Sequence, residues 1–219
     1  VVGGEESLTL TDALSGLDPR SACPPLVDGV AFCLAWLRRA GLDTFTVADS
    51  AGLTGRSNIV EVVPDAAASL DVSPATLETI AGHELIVVVA VLDAFGNVVD
   101  IEPGGVDAVT FFDDTGTISC SWSGPVGDGT QTFVCSITAA SFSDTLGASV
   151  LRLGVQGTAF ESVRVYNAEL AEVEVGAPAL ATAGVAFAAT FRGFDEFGNA
   201  YTHQSDPVID LDDSTGTLV

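Results

Sequence analysis

The stretch LIVVVAVLDAFGN, from Leu85 to Asn97, joins a long apolar run to a turn that ends in Gly96-Asn97. A related stretch, FAATFRGFDEFGN, occupies Phe187 to Asn199, and the two Gly-Asn pairs lie 102 positions apart. Each stretch is typical of a β-strand followed by a tight turn, since Gly and Asn tolerate positive φ. A repeat at this fixed period indicates similar units arranged in tandem, so the sequence predicts an all-β array.

Seven short strand-like runs separated by turn residues make up the best-defined unit. They are residues 69–72, 85–92, 108–112, 116–122, 130–138, 150–154 and 162–165. Strands of this length and spacing are typical of a β-sandwich of about 100 residues. An earlier segment, from Val30 to Ala40, has the composition of a helix with Gly41 as its C-cap. Its alignment with the alternating run around Phe133 and Cys135 favours a strand instead.

Repeated segments near both ends set the expected domain boundaries. Asp12, Asp113 and Asp213 follow similar strands at intervals of 101 and 100 residues. We therefore expect a complete sandwich at residues 65–167, between the C-terminal part of one unit at 1–64 and the N-terminal part of another at 168–219. Incomplete sandwiches leave unpaired strand edges, which are templates for further pairing. Either more chain completes them, or copies of the chain complete one another end to end.

The charge of the chain excludes several classes of partner. There are 30 acidic residues and 7 basic ones in 219 positions, which gives a net charge of −23. Nucleic-acid binding needs a positive surface, and so does adhesion to anionic lipid. No apolar run reaches the roughly 18 residues that span a bilayer, so we expect no membrane insertion.

Four cysteines form two close pairs in the sequence, Cys23 with Cys33 and Cys120 with Cys135. Neither pair has the CxxC spacing of a zinc site. We expect two local disulfides, which would indicate an oxidising compartment. Four buried thiols are the alternative interpretation.

Three segments carry a resemblance to a known family. The junction-like stretch from Ala40 to Val72, and the stretches TIAGHELIVVVAVLDAFGNVVD and TAGVAFAATFRGFDEFGNAY, resemble tandem bacterial Ig-like repeats. A more distant similarity is to the Ig-like domains of invasin- and intimin-type adhesins. The resemblance implies immunoglobulin-like sandwiches, one complete and two partial. It implies function only weakly, since such modules serve as spacers, adhesive stalks, filament subunits and enzyme appendages.

Acidic residues near the second repeated turn are candidate calcium ligands. Asp195, Glu196, Asp212 and Asp213 would supply the oxygen atoms that calcium prefers. A purely structural turn is the competing interpretation, and no EF-hand spacing is present. We expect no cofactor other than this calcium.

The strand at Leu85–Leu92 is apolar on both faces. If Leu85, Val87 and Val89 face the core, then Ile86, Val88 and Ala90 face outward without a polar cover. An apolar outward face indicates a contact, and burial beneath a loop of the same unit is the alternative.

The usual catalytic patterns are missing from the sequence, which has no G-x-S-x-G elbow and no phosphate-binding loop. We therefore expect a non-enzymatic structural segment of an extracellular or cell-surface protein, forming a stalk or a fibre. Its partners would be copies of itself or flanking Ig-like units. The alternative is an adhesive or carbohydrate-binding module with a surface glycan as its ligand.

Overall fold

The computed structural model describes residues 7–103, 105–126 and 129–202, of which Val126 is described by its backbone alone. Its strands form sheets only within three groups of residues. The first group contains β1 (Thr9–Asp12), β2 (Gly41–Asp43), β3 (Phe45–Ala48), β4 (Thr54–Arg56) and β5 (Val60–Val62). The second contains β6 (Ala67–Pro74), β7 (Glu78–Ile80), β8 (Leu85–Asp93), β9 (Val109–Phe112), β10 (Ile118–Val126), β11 (Thr130–Ile137), β12 (Ser141–Asp144), β13 (Gly147–Val150), β14 (Val155–Thr158) and β15 (Val163–Tyr166). The third contains β16 (Leu170–Gly176) and β17 (Thr190–Asp195).

The middle group forms a sandwich whose strand order is immunoglobulin-like. One sheet has the order β10-β11-β8-β6, and the facing strands are paired as β14-β13-β9 and β12-β15-β7. These are the two sheets of an immunoglobulin domain, with strands in the orders D-E-B-A and G-F-C. The parallel pairing of β7 with β15 ties the first part of the sandwich to its last strand. The predicted fold class, one complete and two partial immunoglobulin-like sandwiches, is therefore found.

The core lies between the two sheets of the middle sandwich. Val87, Val89 and Val91 of β8 are fully buried. The rings of Phe111 and Phe133 meet edge-to-face across the core, with 4.8 Å between their centroids. Alternation along β8 places these valines on one face, as the sequence predicted.

Two of the predicted elements differ from the structure. The expected strand at Val150–Gly154 is wrong, because β13 ends at Val150 and a 3₁₀ turn covers Leu151–Leu153. Gly154 then closes this turn in the left-handed conformation, with φ of 66°. In the first group, the segment predicted as a strand from Val30 to Ala40 is extended and antiparallel to residues 17–27, which excludes the helix, but it pairs only through isolated bridges. Reciprocal hydrogen bonds between Ala22 and Leu34 hold this hairpin.

Both cysteine pairs bridge neighbouring antiparallel segments. Cys120 of β10 lies directly opposite Cys135 of β11, and the disulfide joins Cα atoms 4.0 Å apart. Cys23 and Cys33 bridge the hairpin of the first group, with a Cα separation of 4.2 Å. Each bond closes a short loop of its own hairpin, so it stiffens one unit and does not join two units.

Candidate functional site

The repeated turn after β8 is organised by the carboxylate of Asp93. One carboxylate oxygen, Oδ1, accepts hydrogen bonds from the backbone N–H groups of Phe95 at 2.8 Å and Asn97 at 2.9 Å. Gly96 has φ of 84°, which a side chain would strain. The turn thereby holds the Asn97 side chain in one direction, toward the preceding unit.

Asn97 binds the backbone of the first group, and Asp93 binds the N–H of Asp65 at the start of its own unit, in a set of contacts that we call the first clamp. The Asn97 amide donates from Nδ2 to the carbonyl of Arg38 at 2.8 Å, and its Oδ1 accepts from the N–H of Ala40 at 2.8 Å. The Asp93 Oδ2 accepts from the N–H of Asp65 at 3.0 Å, and from Asn97 Nδ2 at 2.7 Å. The Asn97 side chain thus joins two successive units by two hydrogen bonds to backbone groups, while Asp93 holds the start of its own unit.

The same arrangement recurs at the next junction, where it forms the second clamp. Asn199 donates from Nδ2 to the carbonyl of Thr138 at 2.8 Å and accepts at Oδ1 from the N–H of Ala140 at 2.9 Å. The Asp195 Oδ2 accepts from the N–H of Ala168 at 2.8 Å and from Asn199 Nδ2 at 2.8 Å. Each bond of the first clamp has its counterpart here.

Both clamp carboxylates are almost fully buried, with 3% of the surface of Asp93 and of Asp195 exposed. Burial alone would raise their pKa values, but hydrogen bonds from the asparagine side chain and from several backbone N–H groups outweigh it. The pKa of each carboxyl therefore lies below its ordinary value. Each carboxylate is charged at neutral pH and is held by N–H donors instead of by a basic side chain.

The phenylalanine of each turn meets a different environment. The Phe197 ring lies against Gly82 of the middle sandwich so closely that a β-carbon at Gly82 would come within 2.4 Å of it. The Phe95 ring instead lies 5.9 Å from the guanidinium carbon of Arg38. The second junction therefore has a close ring-to-backbone contact, and the first has a looser cation–π contact.

A groove of 980 Å³ flanks the second clamp. Its walls come from the middle sandwich, the connecting segment and the third group, and they carry aromatic and acidic side chains: Glu78, Tyr166, Glu169, Glu196, Phe197 and Tyr201. The Tyr166 hydroxyl donates to Glu78 Oε1 at 3.1 Å, which fixes one wall. The groove therefore offers flat rings and carboxylate acceptors to a ligand between two units.

The predicted calcium ligands have different positions. Both oxygens of Asp195 already accept N–H donors in the second clamp, whereas Glu196 is exposed beside the groove. Asp212 and Asp213 lie outside the described residues. Within residues 7–103, 105–126 and 129–202, no group of three or more His, Cys, Asp or Glu side chains is arranged to hold a metal. The calcium site stays a prediction.

The predicted contact face on β8 is graded in exposure. Ile86 is 37% exposed, Val88 is half-buried, and Ala90 is buried, with 9% of its surface exposed. Leu85, Val87 and Val89 point the other way into the core. The role of Ile86, Val88 and Ala90 as an interface stays a prediction.

The clamps are the feature that sequence reasoning missed. The local pattern predicts turn residues at Asp93, Asn97, Asp195 and Asn199, and a calcium ligand at Asp195, although the partners of these residues near 38–40 and 138–140 recur at nearly the same period. That shared period was a usable signal, because a repeated turn and a repeated partner segment indicate a repeated contact.

No helix in the described part of the chain is long and apolar enough to cross a membrane.

Comparisons with known proteins complete the description. No protein-family model and no curated protein matches the sequence. The chain is similar to the structure of the Escherichia coli adhesin FdeC, with 22% identity and a TM-score of 0.48 over 92% of this chain and 66% of that one. It is similar to Yersinia pseudotuberculosis InvD, with 16% identity and a TM-score of 0.44 over 91% of this chain and 62% of that one. A β-glycosidase structure from Bacteroides vulgatus shares 8% identity and a TM-score of 0.37, over 74% of this chain and 25% of that one.

The chain therefore spans less than two thirds of the length of each of these structures. The assignment of its fold comes from its own strand order and pairing. By that order, the chain is a tandem array of immunoglobulin-like β-sandwich repeats.

Proposed function

We propose that the chain is a non-enzymatic segment of a stiff stalk, exposed outside the cell or on its surface. Its units would have the boundaries 1–64, 65–167 and 168–219. The observation that carries the proposal is the pair of clamps, which hold consecutive units by the same hydrogen bonds. A stalk needs such fixed joints, because independent units on free linkers would form a flexible chain.

The geometry of each clamp resists bending. Asn97 binds residues 38–40 on one side of the turn, while Asp93 binds the connecting segment at Asp65 on the other. A hinge motion that moves residues 38–40 away from the turn would stretch both Asn97 contacts. The two Asn97 bonds join neutral groups and contribute about 0.5–1.5 kcal/mol each, so together they favour one orientation of the two units.

Small-angle X-ray scattering tests the stalk. The wild-type chain should scatter as a rod with a sharply defined maximum dimension. The double variant Asn97→Ala/Asn199→Ala should show a shorter average dimension and a broader distance distribution. Asn58→Ala is the control, since the Asn58 amide donates only to the adjacent Ile59 carbonyl. Scattering that is the same for the double variant and the wild type would contradict the role of the clamps.

We further propose that copies of this chain form a fibre by end-to-end completion of the partial sandwiches. In the middle unit, the β6–β8 pair lies beside β11 and β10. The third group contains the counterpart of β6–β8 in β16–β17, and the first contains the counterpart hairpin of β10–β11. Val173 and Val175 are 52% and 63% exposed, whereas their counterparts Leu70 and Val72 are 6% and 1% exposed. Docking onto the first group of another copy would bury them.

Negative-stain electron microscopy over a concentration series tests the fibre. Fibres that lengthen with concentration would support completion between copies. The variant Val173→Asp/Val175→Asp, with charges on the face to be buried, should abolish them, whereas Glu172→Gln/Glu174→Gln on the opposite face should not. Short rods of one size at every concentration would contradict the fibre proposal but would still agree with the stalk proposal.

A second candidate function is an adhesive module that binds a surface glycan in the groove. Rings such as Phe197 and Tyr201 stack on sugar faces, and Glu78 and Glu169 would accept sugar hydroxyls. Titration with neutral oligosaccharides should shift the NMR signals of groove residues and leave those of Ser69 and Asp71 on the distant sheet unchanged. Shifts spread over the whole surface, or none, would contradict it.

A further inference from the structure

Asp144, at the end of β12, is the most deeply buried acidic side chain of the middle sandwich, with 0% of its surface exposed. Its Oδ1 accepts a hydrogen bond from the N–H of Asp114 at 3.0 Å. Its Oδ2 is also buried, and no donor of the described residues reaches it. A buried carboxylate oxygen without a donor is costly, so this atom needs an explanation.

The turn between β9 and β10 brings two further carboxyl groups close enough for their charges to act on Asp144. Asp113 accepts at Oδ1 from the N–H of Ile118 at 3.1 Å and at Oδ2 from the Thr115 hydroxyl. Asp114 accepts at Oδ2 from the N–H of Thr145 at 2.9 Å. The ion pairs of the described residues involve only Asp18 and Asp107, so none offsets the charge on this cluster.

A bound proton accounts for this arrangement better than a metal ion does. The described residues contain no group of three or more metal-ligating side chains of the right geometry, so a cation would find too few ligands. A proton on one carboxyl would supply the O–H donor that the buried oxygen lacks and would remove one of two adjacent negative charges.

We infer that Asp144 carries a proton beside the Asp113 carboxylate in the folded protein at mildly acidic pH, and that the middle sandwich becomes more stable as this proton is taken up. The pKa of Asp144 has the matching direction. Burial raises it to about 6, and the charge of Asp113 adds to the rise, against the lowering effect of the Asp114 N–H.

The sign of the effect follows from proton linkage. The pKa of Asp144 is higher in the folded state than its ordinary value of 3.8, so between these values the folded state binds more protons. The contribution of Asp144 to the unfolding free energy is therefore complete below pH 3.8 and is lost as the pH rises through about 6. Asp114 and Asp107 have lowered pKa values and act with the opposite sign at lower pH.

The homologous acid of the first group, Asp43, is solvated by the backbone in a different way. It is 1% exposed, and its Oδ2 also lacks a donor. Its Oδ1, however, accepts three N–H donors: Ala13 at 2.9 Å, Leu14 at 3.3 Å and Thr44 at 2.7 Å. Asp144 has one such donor, from the N–H of Asp114, so the inference concerns the middle unit.

The experiment uses the full chain carrying Trp36→Phe, which leaves Trp122 as the fluorescence reporter of the middle sandwich. Urea unfolding is measured from about pH 5 to about pH 8 with Asp144 intact and with Asp144→Asn. The asparagine amide can donate a hydrogen bond to Asp113 at any pH in this range, because it does not need to take up a proton first. Relative to the variant, the parent should lose a factor of roughly 10 in its folding equilibrium constant over this range. Asp71→Asn, at an exposed position on β6, should track the parent.

Parallel pH profiles for the parent and Asp144→Asn would overturn the inference. So would stabilisation by excess calcium near pH 8 in the parent but not in the variant, which would place a cation between the carboxylates. If Asp144→Asn fails to fold, carboxyl ¹³C NMR of the parent decides. The Asp144 signal should titrate near pH 6, and titration below pH 4 would contradict the proton on Asp144.

Discussion

The two clamps make the same hydrogen bonds to the backbone groups of different residues. The first takes the carbonyl of Arg38 and the N–H of Asp65, where the second takes the carbonyl of Thr138 and the N–H of Ala168. These partners share no side-chain chemistry, and each contributes only its backbone. A joint built on backbone groups can persist while the repeats diverge in sequence.

What surrounds the clamps does differ. Phe197 packs against Gly82, whereas Phe95 lies near Arg38, whose side chain also hydrogen-bonds to the buried Asp18 at 2.6 Å. The polar clamp thus fixes the joint, and the ring contact varies from one junction to the next. The contribution of the clamp hydrogen bonds can be separated from that of the ring contact by variants of each and by lowering the pH.

Asp93→Ala should have the largest effect. It removes the acceptor of four hydrogen bonds, including those from the N–H groups of Phe95 and Asn97. Unpaired buried N–H groups cost about 1–3 kcal/mol each, so the middle sandwich should lose about 3 kcal/mol of unfolding free energy. Urea unfolding followed by Trp122 fluorescence, with Trp36→Phe, measures this loss.

Asp195→Ala is the matched variant at the second clamp. Asp195 ends β17 of the third group, so its loss should leave the middle sandwich within about 0.5 kcal/mol of the parent while it loosens the second junction. Equal destabilisation of the middle sandwich by both variants would contradict a local action of each carboxylate on its own unit.

Gly82→Ala should disturb the second junction alone. Gly82 has φ of 79°, and its added β-carbon would meet the Phe197 ring. The backbone strain costs about 1 kcal/mol, and the ring must also move. Gly154→Ala is the control for strain without contact, since φ is 66° there and no atom lies within 4 Å of the added carbon.

The Phe197 ring signals in an NMR spectrum distinguish the two glycine variants. They should shift in Gly82→Ala and stay in place in Gly154→Ala, while the Asn97 side-chain signals stay unchanged in both. A shift of the Asn97 signals in Gly82→Ala would show that the junctions are coupled through the middle sandwich.

Acid should open both clamps in the same pH range. The pKa values of Asp93 and Asp195 are lowered in the folded state, so their contribution is complete above the ordinary value of 3.8 and is lost as pH falls through the lower folded values. The Nδ2 signals of Asn97 and Asn199 should therefore keep their positions down to pH 3.8. Opening of either clamp well above this value would contradict the N–H-held carboxylate.

Phe95→Leu should have the smallest effect. A partly exposed cation–π contact contributes about 0.5–1 kcal/mol, and Phe95 is 46% exposed. Phe197→Leu should cost more, because that ring lies directly on the Gly82 backbone. Thermal unfolding of both variants compares the stability that each ring contact contributes. An equal or larger loss of stability for Phe95→Leu would contradict the view that the Phe197 contact is the stronger one.

The repeated strand and turn were predictable because local patterns encode them. Alternation in β8 places Val87 and Val89 in the core, and the 102-residue period identified the array. The strand order could then be expected for a sandwich with short connections. The broken strand after Val150 was not predictable from alternation, because Leu151-Arg152-Leu153 itself alternates between apolar and polar residues as a strand does.

The clamps and the Asp113–Asp144 pair were harder to predict for a different reason. Asn97 binds residues 57 to 59 positions away along the sequence, and Asp144 faces a turn about 30 positions away. In a chain with 30 acidic residues, nothing local separates a buried aspartate from an exposed one. Only the packing of the two sheets brings these groups together.

Residual dipolar couplings of the backbone N–H groups test the central claim, the fixed joint, most directly. Couplings from residues 9–62 and from residues 67–166 should fit one alignment tensor in the wild type. In Asn97→Ala they should require two different tensors, because the first clamp loses both its bonds to residues 38–40. Two tensors already in the wild type, or one tensor retained in the variant, would contradict a joint held by the clamp.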